Sequence, residues 1–155
     1  MRELNFRAWD KVTKRYYDVC GLDYDDDGKL REVYLAGIQI DESNPNANVR
    51  KPSDVIIEQY IGLKDKNGIK IYEGDIVLDY YDGEDTFIVE WDKDAASFIL
   101  ADTDNIICVN FYDYFPDKEL EVIGNIHENH ESLKEKEWAL SQNCECALQI
   151  TYENI

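Results

Sequence analysis

Apolar and polar residues alternate along most of the chain up to residue 126, with the period of two expected of half-buried strands. Leu4-Asn5-Phe6-Arg7-Ala8-Trp9 is the first such run, and residues 15–24 and 30–40 follow as the two arms of a hairpin. Further strands are predicted at 55–63, 76–81, 86–91, 97–101, 106–112 and 120–126. Segments rich in Asp, Gly and Asn divide them, among them Asp25-Asp26-Asp27-Gly28, Asp65-Lys66-Asn67-Gly68, Asp82-Gly83-Glu84-Asp85 and Asp92-Lys93-Asp94. In such turns Gly or Asn takes the backbone conformation with positive φ. Residues 41–54, with Pro45 and Pro52, form the clearest loop and suit a linker between two subdomains or a mobile loop. From Glu131 the texture changes. Good helix formers with Leu133, Trp138 and Leu140 predict a helix over 131–142, followed by a tail.

Short strands between tight turns predict a mainly β protein. It divides into an N-terminal β hairpin or meander with its linker loop (1–54), a small antiparallel barrel or sandwich (55–130), and a C-terminal α-helix and tail (131–155). The expected core is Trp9, Val55, Ile57, Ile76, Leu78, Phe87, Val89, Trp91, Val109, Val122 and Ile126.

Composition narrows the class. The 155 residues are 44% hydrophobic and 32% charged, the balance of a soluble globular domain. No apolar run approaches the roughly 18–20 residues of a membrane-spanning helix, so no membrane partner is expected. The first six residues, Met1 to Phe6, hold no apolar signal core, which predicts a cytoplasmic location and reduced thiols. On that basis Cys20 and Cys108, inside apolar runs, should behave as small hydrophobes.

Charge is spread unevenly. Residues 1–72 carry 13 acidic and 12 basic side chains, a net of −1. Residues 73–121 carry 15 acidic side chains against Lys93 and Lys118, a net of −13. The remaining residues add −4, for a total of −18. Such an excess opposes direct nucleic-acid binding, which depends on cations neutralising phosphates. It can steer cationic partners instead.

Little in the chain suggests catalysis. Asp23-Tyr24-Asp25-Asp26-Asp27-Gly28 has the first half of a calcium loop, but its twelfth position is Tyr34, where a bidentate Glu is needed. An acidic hairpin turn is the simpler expectation. His127, His130, Cys144 and Cys146 could supply four zinc donors, although the Cys-x-Cys spacing is tight. No local motif joins a Cys to a His as nucleophile and base, and no Gly-rich phosphate loop is present. No catalytic residue, metal site or cofactor is therefore assigned. The candidate binding residues lie in the acidic middle: Asp79, Tyr80, Tyr81, Asp82, Glu84, Asp85, Phe111, Tyr112 and Tyr114. Neighbouring strand residues point to opposite faces, so one ring of each adjacent pair can reach a partner.

Three separated blocks carry a family resemblance. They are Phe6-Arg7-Ala8-Trp9-Asp10, then residues 59–77 with Asp65-Lys66-Asn67-Gly68 and Glu73-Gly74-Asp75-Ile76-Val77, and then Glu121-Val122-Ile123-Gly124-Asn125-Ile126-His127-Glu128-Asn129. With them, residues 2–133 resemble the YopX-like proteins of bacteriophages and prophages. The resemblance implies an SH3-like barrel in the later part and a bacterial host cytoplasm. It implies no chemistry. Gly74 and Gly124 fit a bend and a bulge, so these blocks read mainly as fold-makers. The expected function is a non-enzymatic protein–protein interaction module, whose partner is a host or phage protein or a second copy of itself. A DNA mimic that inhibits a host DNA-binding enzyme is the alternative, and a metal-dependent enzyme is a third.

Overall fold

The predicted strands assemble into two antiparallel sheets in a computed structural model that describes residues 3–80, 85–102, 108–111 and 120–129. Residues 1–64 and 70–73 form one compact unit, and residues 65–69 and 74–155 form a second. The expected helix over 131–142 and the tail lie outside the described residues.

The first unit contains β1 (Phe6–Asp10), β2 (Arg15–Tyr24), β3 (Leu30–Leu35), β4 (Val49–Arg50), β5 (Val55–Lys64) and β6 (Lys70–Tyr72), in the order β4-β3-β2-β1-β5-β6. The segment expected as a plain loop thus includes β4, which pairs with β3 through Val33↔Arg50 and Tyr34↔Val49. A strand of two residues has no period to betray it. β3 ends at Leu35, before the left-handed Gly37 (φ +78°). β5 and β6, grouped by sequence with the later strands, pair in this sheet: β5 registers with β1 from Phe6↔Gln59 to Asp10↔Val55.

The registers sort side chains onto two faces. Ala8 lies between Tyr17 and Ile57. On that face Ala8, Val33, Leu35 and Val55 are buried, with Tyr17, Val19, Leu22, Leu30, Ile38 and Ile57 packed against them. Burying an aliphatic side chain of this size contributes about 1.5–3 kcal/mol. The opposite face carries Arg7, Trp9, Tyr16, Glu58, Tyr60 and Tyr72.

The second unit contains β7 (Asp75–Asp79), β8 (Asp85–Asp92), β9 (Ser97–Asp102), β10 (Cys108–Asn110) and β11 (Leu120–Asn125), in the order β10-β9-β8-β7-β11. Val77 faces Phe87, and Val89 faces Leu100; all four are buried. Gly74 introduces β7 with φ +79°. Its N–H donates to Val89 O at 2.8 Å, and its carbonyl accepts the Ile126 N–H at 2.9 Å.

Several expected core positions differ. Trp91 keeps the alternation of Phe87 and Val89, yet it sits at the strand end and is 48% exposed. Ile57, Leu78, Val122 and Ile126 are only half-buried. The side chain of Val109 lies outside the described set. Cys20 is exposed, because the bulge between Val19 and Gly21 interrupts the pairing of β2 with β3 there. Alternation alone missed Ala8, Val33, Leu35, Ile71, Val77, Leu100 and Leu120, all buried.

Candidate functional site

In the second unit an exposed polar and aromatic cluster forms around Tyr80, one residue past β7. The Tyr80 hydroxyl donates to Glu121 Oε2 at 2.6 Å. Lys66 Nζ lies 2.8 Å from the same oxygen and 3.8 Å from the centroid of the Tyr80 ring. Lys66 belongs to the turn 65–69, whose opening Asp65 is buried. Asp65 Oδ1 accepts the N–H groups of Asn67 and Ile69, each at 2.8 Å. Its Oδ2 accepts the Val122 N–H at 3.1 Å, and the Lys66 N–H donates to Leu120 O at 2.9 Å. The turn therefore caps the outer edge of β11 and holds Lys66 beside Glu121.

The electrostatics of this cluster are self-consistent. The hydrogen bond from Lys66 is the main influence lowering the Glu121 carboxyl below its ordinary value. The hydrogen bond to Glu121 raises both the Lys66 ammonium and the Tyr80 phenol above theirs. All three groups are moved away from neutrality. An acid–base catalyst needs the opposite, a group poised near its working pH.

Of the other expected binding residues, Asp79, Asp85 and Phe111 are among the described residues. Asp85 is exposed and opens β8 opposite Asp79. Asp79 is itself buried, at 2% exposure, as is Phe111 at 8%, so neither side chain offers a surface to a partner. Tyr81, Asp82, Glu84, Tyr112 and Tyr114 lie outside the described residues, as do His130, Cys144 and Cys146 of the conceivable zinc set. In the calcium-like turn, Asp23 pairs with Arg31 at 2.7 Å. Asp25 Oδ1 accepts the N–H groups of Asp27 and Lys29 at 3.1 and 2.8 Å, which makes the segment a capped hairpin turn.

Sequence inspection missed a second cluster, in the first unit. Arg7 Nε donates to Glu58 Oε2 at 2.7 Å, and the Tyr16 hydroxyl donates to Oε1 at 3.1 Å. The Arg7 guanidinium stacks on the rings of Tyr16 and Tyr72, 4.3 and 4.7 Å from their centroids. Trp9 extends the row onto Tyr16, with centroids 5.1 Å apart, and Tyr60 extends it from Tyr72, at 5.7 Å. Lys70 closes the row over Tyr60 and bonds Glu3 at 2.9 Å. Burial raises the Glu58 carboxyl, and Arg7 only partly offsets it. The signal available in sequence was the alternation Arg7-x-Trp9 on β1 and Glu58-x-Tyr60 on β5, which share a face only through the register that sets Arg7 opposite Glu58.

The chain spans 86% of its length when superposed on the crystal structure of protein EF1440 from Enterococcus faecalis, covering 99% of that chain at 28% identity with a TM-score of 0.56. Protein yopX from Bacillus subtilis superposes over 84% of this chain and 98% of its own, at 16% identity and a TM-score of 0.53, a likeness of fold. No functionally curated protein matches. The model of the YopX protein family matches residues 5–134, which include β1 to β11 and the Gly74 and Gly124 blocks. This chain is a member of the YopX protein family.

Proposed function

We propose that the protein is a non-enzymatic protein–protein interaction module of phage or prophage origin, acting in a bacterial cytoplasm. The observation that carries this is the joint presence, within residues 73–121, of a large acidic excess and exposed rings. Residues 73–121 hold a net of −13, while Tyr80 and Trp91 are 46% and 48% exposed. Aromatic residues are favoured at interface centres, and a one-signed surface speeds encounter with an oppositely charged partner. The shifts of Lys66, Tyr80 and Glu121 away from neutrality support a binding role over acid–base chemistry. The strand order, a meander from β7 to β10 with β11 returning to pair with β7, supports an SH3-like topology for the second unit.

The test is capture of partners from host-cell lysate at low and high salt, identified by mass spectrometry, with sedimentation to detect self-association. A reproducible partner, or a stable homo-oligomer, is expected. A basic DNA-handling enzyme released at high salt, and lost when Asp82, Glu84 and Asp85 are neutralised, would convert the role to DNA mimicry. Capture of nothing specific at either salt, with a monomer in solution, would overturn the interaction role.

A further inference from the structure

At the end of the hairpin formed by β8 and β9, the apolar row of the second sheet runs out into solvent. Val89 and Leu100 face each other and are fully buried. The next pair on that face is Trp91 and Phe98, which meet edge to face with centroids 5.0 Å apart and an interplanar angle of 72°. Trp91 is 48% exposed. The surrounding positions are Glu90, Asp92, Lys93 and Asp94, a local net of −2. Asp92 Oδ1 accepts the N–H groups of Asp94 and Ala95 at 2.8 and 3.2 Å.

Elsewhere among the described residues, rings and carboxylates meet around a cation of the chain itself. Arg7 lies on Tyr16 and Tyr72 while bonding Glu58. Lys66 lies on Tyr80 while pairing with Glu121. At Trp91 and Phe98 the rings lie at an acidic hairpin end, with Glu90 and Asp92 on the opposite face of the strand, and among the described residues no cation sits on either ring. Indole is the strongest ring acceptor of a cation, a guanidinium stacks on it, and the net negative charge of residues 73–121 favours a cationic partner over a neutral one.

The geometry points to the Trp91–Phe98 edge as the docking point for an arginine-bearing basic segment of a partner protein. It rests on the interaction role proposed above and gives that role a location. The full chain is titrated with a peptide of eight arginines, and the Trp91 indole N–H is followed by NMR, its signal identified by its loss in Trp91→Phe. A saturable shift of that signal is expected. Trp91→Ala should weaken peptide binding about three- to tenfold, and Trp91→Phe, which keeps a ring, should restore most of it. An unmoved Trp91 signal in the unaltered protein would overturn the docking point whatever the variants do. So would equal affinity in a folded Trp91→Ala, since binding would then be diffuse charge attraction. If the peptide ignores Trp91 while lysate capture still yields a partner, the docking point falls and the interaction role stands. If neither peptide nor partner binds, both fall.

Discussion

Aspartates at the openings of turns show how much of the acidity is structural. Asp25 and Asp65 make the same device: each accepts the N–H groups two and four residues ahead. Asp41 and Asp92 accept the N–H groups two and three residues ahead in their own turns. Asp65 does more, because its second oxygen accepts Val122 N–H from 57 residues away. Asp65→Ala should lower the stability to denaturant by about 1–3 kcal/mol, the cost of orphaning buried donors. The turn was legible in Asp65-Lys66-Asn67-Gly68, since its bonds are local. The bond to Val122 was not, because no local pattern encodes a contact across 57 residues. Arg7 and Glu58 make the same point at a separation of 51 residues. Removing one partner of this buried pair, as in Glu58→Ala, should cost about 3–5 kcal/mol, whereas the double change Arg7→Met with Glu58→Leu should cost less. A double-mutant cycle measures the difference.

Strands set the next scale. Leu35 on β3 is 1% exposed within the cluster of Ala8, Val33 and Val55. Leu35→Ala should destabilise by about 2–5 kcal/mol in chemical denaturation, through lost transfer energy and the cavity left behind. β11 carries a bulge between Val122 and Gly124. A Cβ on Gly124 would meet the Asn129 side chain, with Cγ 2.7 Å away. That amide is held in place, since its Oδ1 accepts the Asn125 N–H at 3.1 Å. Gly124→Ala should therefore cost about 1–3 kcal/mol by overpacking, and Asn129→Ala in the same background should recover part of it by removing the obstruction. Long strands were legible from alternation, and the glycine in β11 suggested its bulge. β4 and β6, of two and three residues, were not legible, because so short a segment shows no period. Trp91 followed the alternation correctly and is still exposed, because alternation assigns a face and says nothing about where the sheet ends.

Across the whole molecule, opposed carboxyl shifts shape the dependence of stability on pH. Burial pushes Asp10 up, but the Val12 N–H, the Thr13 hydroxyl and Arg50 together hold it below its ordinary value. Its stabilisation is present above the ordinary aspartate range and is lost as pH falls through the depressed value. Burial raises Glu58 above its ordinary value. Its protonated form favours the folded state, so stability declines as pH rises from the ordinary glutamate range through the raised value. Denaturation midpoints against pH should show Asp10→Asn flattening the acid limb and Glu58→Gln flattening the decline above it. The sequence established on its own the mainly β class, the turns and the charge contrast between residues 1–72 and 73–121, because each is written in local composition and period. Tertiary structure alone decided which strands pair, that β5 joins β1, that Asp79 and Phe111 are buried while Trp91 is not, and which cations meet which rings. Those outcomes depend on register between distant segments, and a register is selected by the joint burial of both strands.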